Sequence, residues 1–117
     1  RKTLAGDHVI IYGAGRGGEL LLREILNNKA LNINPVGFLD DDPLKNGKKI
    51  QGFPILGNFD QLSELKNKHA IRGVLLSFNG PANAAACQAA AKYCRQHELF
   101  LKKFSIQLEP VDLIEKV

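Results

Sequence analysis

Apolar residues along this chain fall in two spacings that take turns. Val9-Ile10-Ile11-Tyr12 is an unbroken run, as a strand covered on both faces requires. Leu21, Leu22 and Ile25 follow at helical spacing and predict a helix over about Gly17 to Asn28. Lys29 to Asn34 is a polar connection with Leu31 and Ile33 packing beneath it, and Pro35 to Leu39 reads as a second strand. Asp42-Pro43 ends that strand, because proline has no N–H to give and disfavours helix at the residue before it. From Leu44 to Asn58 the pattern is broken by Asn46-Gly47, Gly52, Pro54 and Gly57, leaving room for a short third strand at Phe53 to Leu56. Asn58 and Gln61 have capping-box spacing, and Phe59, Leu62 and Leu65 then share one helical face up to about Lys68.

The alternation continues to the end of the chain. Ile71 to Phe78 is almost wholly apolar, as a strand inside a parallel sheet would be. Pro81 suits the first turn of a helix running from Ala82 to about His97, whose stripe Ala86, Ala90, Tyr93 and His97 predicts the face laid on the sheet. Glu98 to Phe104 reads as a last strand, and Glu109-Pro110 opens a tail. Strand alternating with helix predicts an α/β fold: a parallel sheet of four or five strands, helices on both faces, joined by right-handed crossovers.

Composition narrows the classes. At 117 residues, 44% hydrophobic and 24% charged, the chain fits a single ordered domain, 1–117. The net charge of +4 is spread over Arg1 and Lys2, Lys45, Lys48 and Lys49, and Lys102 and Lys103, with no aromatic interleaving, which argues against nucleic acid as a partner. Cys87 and Cys94 lie seven positions apart on one predicted helix, about 10 Å between Cα atoms and too far for a bridge, so they read as reduced thiols of a cytoplasmic protein. His8, His69 and His97 are dispersed and make no metal motif. No apolar run nears the roughly 18 residues that cross a bilayer, and no signal-peptide pattern opens the chain. A start at Arg1 with no methionine anywhere suggests a piece of a longer protein.

The candidate chemistry sits where the first strand meets the first helix. Gly13, Gly15 and Gly18 have G-x-G-x-x-G spacing: backbone freedom at the first, close approach of a diphosphate at the second, helix against strand at the third. Asp40, at the tip of the second strand and 22 positions beyond Gly18, is placed to accept hydrogen bonds from a ribose diol. These two features predict a Rossmann-like nucleotide unit, against the plainer reading that the glycines serve packing alone. The predicted cofactor-binding set is Gly13, Ala14, Gly15, Arg16, Gly17, Gly18, Asp40, Asp41 and Ser77, the last emerging at the same sheet edge. Arg16 is read equally as a phosphate contact and as a solvent-facing arginine. A carboxylate at the second strand tip should favour NAD over NADP. The run Asp40-Asp41-Asp42 could instead hold a divalent ion, but three adjacent side chains converge poorly, and no metal site is expected. No catalytic set appears. Tyr12 precedes Arg16 and Tyr93 precedes His97 where a Tyr-x-x-x-Lys pair would be needed, and there is no phosphate loop ending Gly-Lys-Ser/Thr.

Three segments, V-I-I-Y-G-A-G-R-G-G-E-L-L-L-R-E-I (9–25), P-V-G-F-L-D-D-D-P (35–43) and G-K-K-I-Q-G-F-P-I-L-G (47–57), together resemble a known bacterial family. It is the soluble Rossmann domain, of coenzyme A/NAD-binding type, carried by polysaccharide-biosynthesis membrane proteins: capsular nucleotide-sugar dehydratases and epimerases, and polyprenyl-phosphate sugar-phosphate transferases. The resemblance implies a cytoplasmic module beside a membrane-embedded or catalytic partner, with NAD or coenzyme A as ligand. Gly13, Gly15, Gly18 and Asp40 match the family's nucleotide positions. In the dehydratase and epimerase relatives a second Rossmann domain carries Tyr-x-x-x-Lys, which nothing here matches. The expectation is a non-catalytic nucleotide-binding regulatory or accessory domain, whose half-site a neighbouring subunit of a homo-oligomer could complete. Its rivals are a fragment of an NAD(P)-dependent nucleotide-sugar epimerase or dehydratase whose catalytic domain is missing, and an assembly module that binds nothing.

Overall fold

Four parallel strands form the centre of the computed structural model, which describes residues 6–77 and 84–113. In chain order the elements are β1 (Asp7–Tyr12), α1 (Arg16–Asn27), β2 (Ile33–Leu39), β3 (Lys49–Ile50), β4 (Phe53–Pro54), α2 (Leu62–Lys68), β5 (Gly73–Leu76), α3 (Ala84–Gln96) and β6 (Phe100–Lys103). The sheet order is β2-β1-β5-β6, every pair parallel. The chain steps from β1 to β2 in one direction and from β2 to β5 to β6 in the other, so right-handed crossovers put α1 on one face and α2 and α3 on the other.

Side-chain alternation along β1 builds both layers of core. Val9 and Ile11 pack with Leu21, Leu22 and Ile25 of α1 and with Phe38. Ile10 and Tyr12 pack with Leu62 and Leu65 of α2, and with Ala90 and Cys94 of α3. Val9, Ile10 and Ile11 are completely buried, which explains why this strand reads as a continuous apolar run rather than an alternating one.

Several boundaries differ from expectation, each for a local reason. The proposed third strand divides: Phe53–Pro54 pairs antiparallel with Lys49–Ile50, whereas Ile55 bridges Phe38 in parallel. The Leu56 N–H then donates to the Phe38 carbonyl at 2.8 Å, and the Asp40 N–H donates to the Gly57 carbonyl at 2.8 Å, adding a stub of fifth strand beside β2. Asn58 caps as expected, but what it caps is a 3₁₀ turn, Phe59–Gln61, with α2 starting only at Leu62. Leu31 is exposed on another 3₁₀ turn, Lys29–Leu31, instead of packing beneath the connection. On α3 the buried positions are Ala90 and Cys94, while His97 is exposed and stacks on Tyr93 with ring centroids 4.1 Å apart. The predicted stripe is therefore rotated at its C-terminal end, from Tyr93 to Cys94, and His97 lies just past the helix. The expected starts of that helix at Ala82 and of its turn at Pro81 lie outside the described residues, as does Phe78.

Candidate functional site

Strand order reverses between β1 and β5, and the loop leaving the C-terminal end of β1 stands at that switch point, where open α/β sheets bind ligands. Gly13 opens the loop at φ +116°, a conformation that L side chains rarely adopt, while its N–H donates to the Leu39 carbonyl at 2.8 Å. A Cβ on Gly18 would stand 2.0 Å from the Gly13 carbonyl oxygen, so α1 rests directly on the loop. Gly15 is different. It is exposed, its φ of −93° is ordinary, and among the described residues outside its own stretch of chain the atom within 4 Å of a Cβ placed there is Lys45 Nζ, at 3.8 Å.

Gly15 is also the N-cap of α1 and supplies no side-chain cap. Helix N-terminal N–H groups lack intrahelical partners and carry partial positive charge, so an uncapped start favours an anion. Arg16, the first helical residue, is exposed, and Ala14, Gly17 and Gly18 are buried in the turn.

The three adjacent aspartates diverge. Asp40 closes onto the glycine loop: its Oδ2 accepts the Ala14 N–H at 2.7 Å and its Oδ1 accepts the Asp42 N–H at 2.9 Å. Lys45 Nζ lies 3.7 Å from the same Oδ2, and the Asp40 side chain keeps 15% of its surface exposed. Asp41 instead accepts the Tyr12 hydroxyl and, at 3.2 Å, the Phe59 N–H. Tyr12 packs with the α2 and α3 core, so Asp41 serves that layer rather than the loop. Asp42 caps the 3₁₀ turn Pro43–Lys45 by accepting the Leu44 N–H at 3.0 Å. Among the described residues no group of three or more His, Cys, Asp or Glu side chains could hold a metal ion.

Burial, followed by the hydrogen bond to Asp41 and the charges of Asp41, Asp40 and Cys87, holds the Tyr12 phenol well above the usual tyrosine range. It stays protonated at neutral pH and acts as a donor that ties β1 to the β2 tip. Ser77 follows β5 at the same edge of the sheet, 2% exposed. The structure thus brings Gly13, Ala14, Gly15, Arg16, Gly17, Gly18 and Asp40 together, places Ser77 at the end of the neighbouring strand and engages Asp41 elsewhere. Sequence reasoning missed Lys45, which it had counted among scattered charges; the signal was its place in the turn that Asp42-Pro43 initiates. An open backbone at Gly15, an uncapped helix start and a carboxylate fixed beside them fit a nucleotide diphosphate and its ribose.

An α/β domain of Rossmann type, with its glycine loop at the switch point, is the class that this fold and site define. The chain belongs to the CoA-binding domain family, which it matches over residues 2–97. It is 32% identical over 77 residues to the probable polysaccharide biosynthesis protein EpsC of Bacillus subtilis (strain 168), covering 66% of this chain and 13% of that protein. It is 30% identical over 69 residues to the capsular polysaccharide biosynthesis protein CapD of Staphylococcus aureus, covering 58% and 12%. The chain therefore spans about an eighth of the length of the curated relatives it matches. Among solved structures it resembles UDP-D-quinovosamine 4-dehydrogenase from Vibrio fischeri, with a TM-score of 0.75 and 28% identity over 86% of this chain and 80% of that one. The Rex-family repressor RSP in complex with NADH shares the fold, with a TM-score of 0.67 and 20% identity over 92% of this chain and 50% of that one. The family that the three sequence segments suggested is thus the one to which the chain belongs.

Proposed function

We propose that this chain is a nucleotide-binding domain, for coenzyme A or an NAD-like dinucleotide, that carries no catalytic group of its own. It serves as an accessory or regulatory unit, residues 1–117, of a larger bacterial polysaccharide or nucleotide-sugar biosynthesis protein. The observation that carries the reading is the open Gly15 backbone at the uncapped start of α1, with Asp40 locked beside it through the Ala14 N–H. Gly13 to Gly18 would hold the diphosphate. Asp40 would take the ribose, because each of its oxygens accepts one main-chain N–H and keeps a second lone pair for a hydroxyl. When bound, NAD supplies a hydride acceptor and coenzyme A a thiol; the residues of this chain bind and orient.

Kinship with polysaccharide biosynthesis proteins supports a cytoplasmic placement beside a membrane-embedded or catalytic partner. Among the described residues no helix is long and apolar enough to cross a membrane. A second reading, a fragment of an NAD(P)-dependent nucleotide-sugar epimerase or dehydratase, is favoured by the likeness to a UDP-sugar dehydrogenase. A Tyr-x-x-x-Lys pair in the parent chain would select it. Calorimetry with NAD, NADP, coenzyme A and a uridine-diphosphate sugar tests the main reading. Binding of NAD or coenzyme A is expected, with NAD tighter than NADP. Silence across the four overturns the reading.

A further inference from the structure

We infer that Lys45 is a diphosphate-binding cation, held against Asp40 until the ligand arrives. The inference rests on the nucleotide reading and adds to it a specificity for diphosphates over single phosphates. Three observations converge on this lysine. Its base is fixed: Pro43 sets the turn, Asp42 caps it through the Leu44 N–H at 3.0 Å, and the Asp42 carbonyl accepts the Lys45 N–H at 3.0 Å. The stem then crosses to the glycine loop, bringing Nζ within 3.8 Å of a Cβ placed on Gly15, the exposed N-cap of α1. Finally, Nζ stands 3.7 Å from Asp40 Oδ2, beyond the 2.7–2.9 Å or so of a strong charge-assisted hydrogen bond.

That last distance decides the role. Asp40 is positioned by two main-chain N–H groups at 2.7 and 2.9 Å and does not depend on the lysine. The Lys45 side chain is 35% exposed, and ion pairs so open to solvent are weak, so leaving Asp40 costs little. An entering diphosphate offers two charged groups to three ammonium donors. Asp41 is turned to Tyr12 and Phe59 and Asp42 to Leu44, and among the described residues the carboxylate that Lys45 Nζ pairs with is that of Asp40. The ligand class is then a nucleoside diphosphate or its ester; ADP is the portion common to NAD and, with one more phosphate, coenzyme A.

Calorimetry of the whole chain with ADP, AMP, NAD and coenzyme A tests this, using K45M, K45R, D40N and the D40N/K45M double variant. K45M should weaken ADP about tenfold, weaken AMP less and flatten the salt dependence of ADP binding, with K45R restoring most of the loss. The same penalty should persist in the D40N background, and the thermal midpoint of K45M should stay within a few degrees of the parent. A penalty that disappears with D40N shows that Lys45 merely places Asp40 and overturns the inference. So does equal loss of ADP and AMP. Binding by the unaltered chain that K45M leaves unchanged overturns this inference alone, whereas no binding of any of the four overturns the nucleotide reading and this one with it.

Discussion

Gly15 and Gly18 stand in one loop, and exchanging each for alanine should separate folding from ligand access. At Gly18 the new methyl would lie 2.0 Å from the Gly13 carbonyl oxygen and 3.3 Å from the Phe38 ring. A carbon and a carbonyl oxygen need about 3.3 Å, so α1 must retreat from β1 by roughly 1 Å. With it go Leu21, Leu22 and Ile25, each 5% exposed or less. Overpacking of this kind costs about 1–3 kcal/mol, and a backbone oxygen cannot turn aside as a side chain would, which favours the upper end. Alanine's better helix propensity returns about 1 kcal/mol, leaving a net loss near 2 kcal/mol. At Gly15 the backbone is extended, with φ −93° and ψ −155°, and the Cβ position is open. Reduced unfolded-state entropy contributes about 0.4–1 kcal/mol, while alanine is a poorer N-cap by a similar amount, so the two cancel to within about 0.5 kcal/mol. Urea unfolding followed by circular dichroism should show the G18A midpoint about 1 M lower and that of G15A unmoved. Calorimetry should show the reverse for G15A, which folds and loses its ligand. Equal midpoints for the two variants would refute the assignment of separate roles.

Tyr12 and the two cysteines give further expectations. Because the folded Tyr12 phenol sits above its ordinary range, it keeps a proton that the unfolded chain releases near pH 10, so its stabilising contribution is whole below about pH 10 and declines as pH rises beyond. Y12F should cost about 1 kcal/mol at pH 7 through the lost hydrogen bond to Asp41 and show a shallower alkaline decline in urea midpoint; parallel declines would refute the burial argument. Burial pushes the Cys94 thiol up to about 11, while Cys87 is only half-buried. A thiol reagent at pH 8 should therefore label Cys87 first and Cys94 only on unfolding, and two equally fast thiols would contradict the packing of α3.

The architecture was largely legible because it rests on short-range signals. Val9 to Tyr12 announces a doubly covered strand by its unbroken apolar run, and Leu21, Leu22 and Ile25 announce the helix that covers one side. The glycine spacing locates the turn between them. What stayed hidden depends on contacts distant in sequence. Nothing near Asp41 signals that its carboxylate reaches back 29 positions to Tyr12 while its neighbour Asp40 reaches 26 positions to Ala14. The identical side chains part where the chain leaves β2 and bends at Asp41, with the Asp42 N–H turned back onto Asp40. For Lys45 the sequence offers its place in the Asp42-Pro43 turn, but its nearness to Gly15 is created by the path of the chain after β2. Division of the third strand at Ile55 likewise follows from the competing edge of β2, which captures the residues that the small hairpin leaves unpaired.

The two margins of the sheet are finished in unlike ways. Beside β2 the pairing groups are partly consumed by the chain itself, at Ile55 and Gly57. β6, at the opposite margin, ends in exposed Lys102 and Lys103. A foreign strand seeking that border would have to set its own residues against two ammonium groups, a recognised guard against unwanted pairing. The exposed Leu108 and Leu113 follow β6, beyond that guarded border.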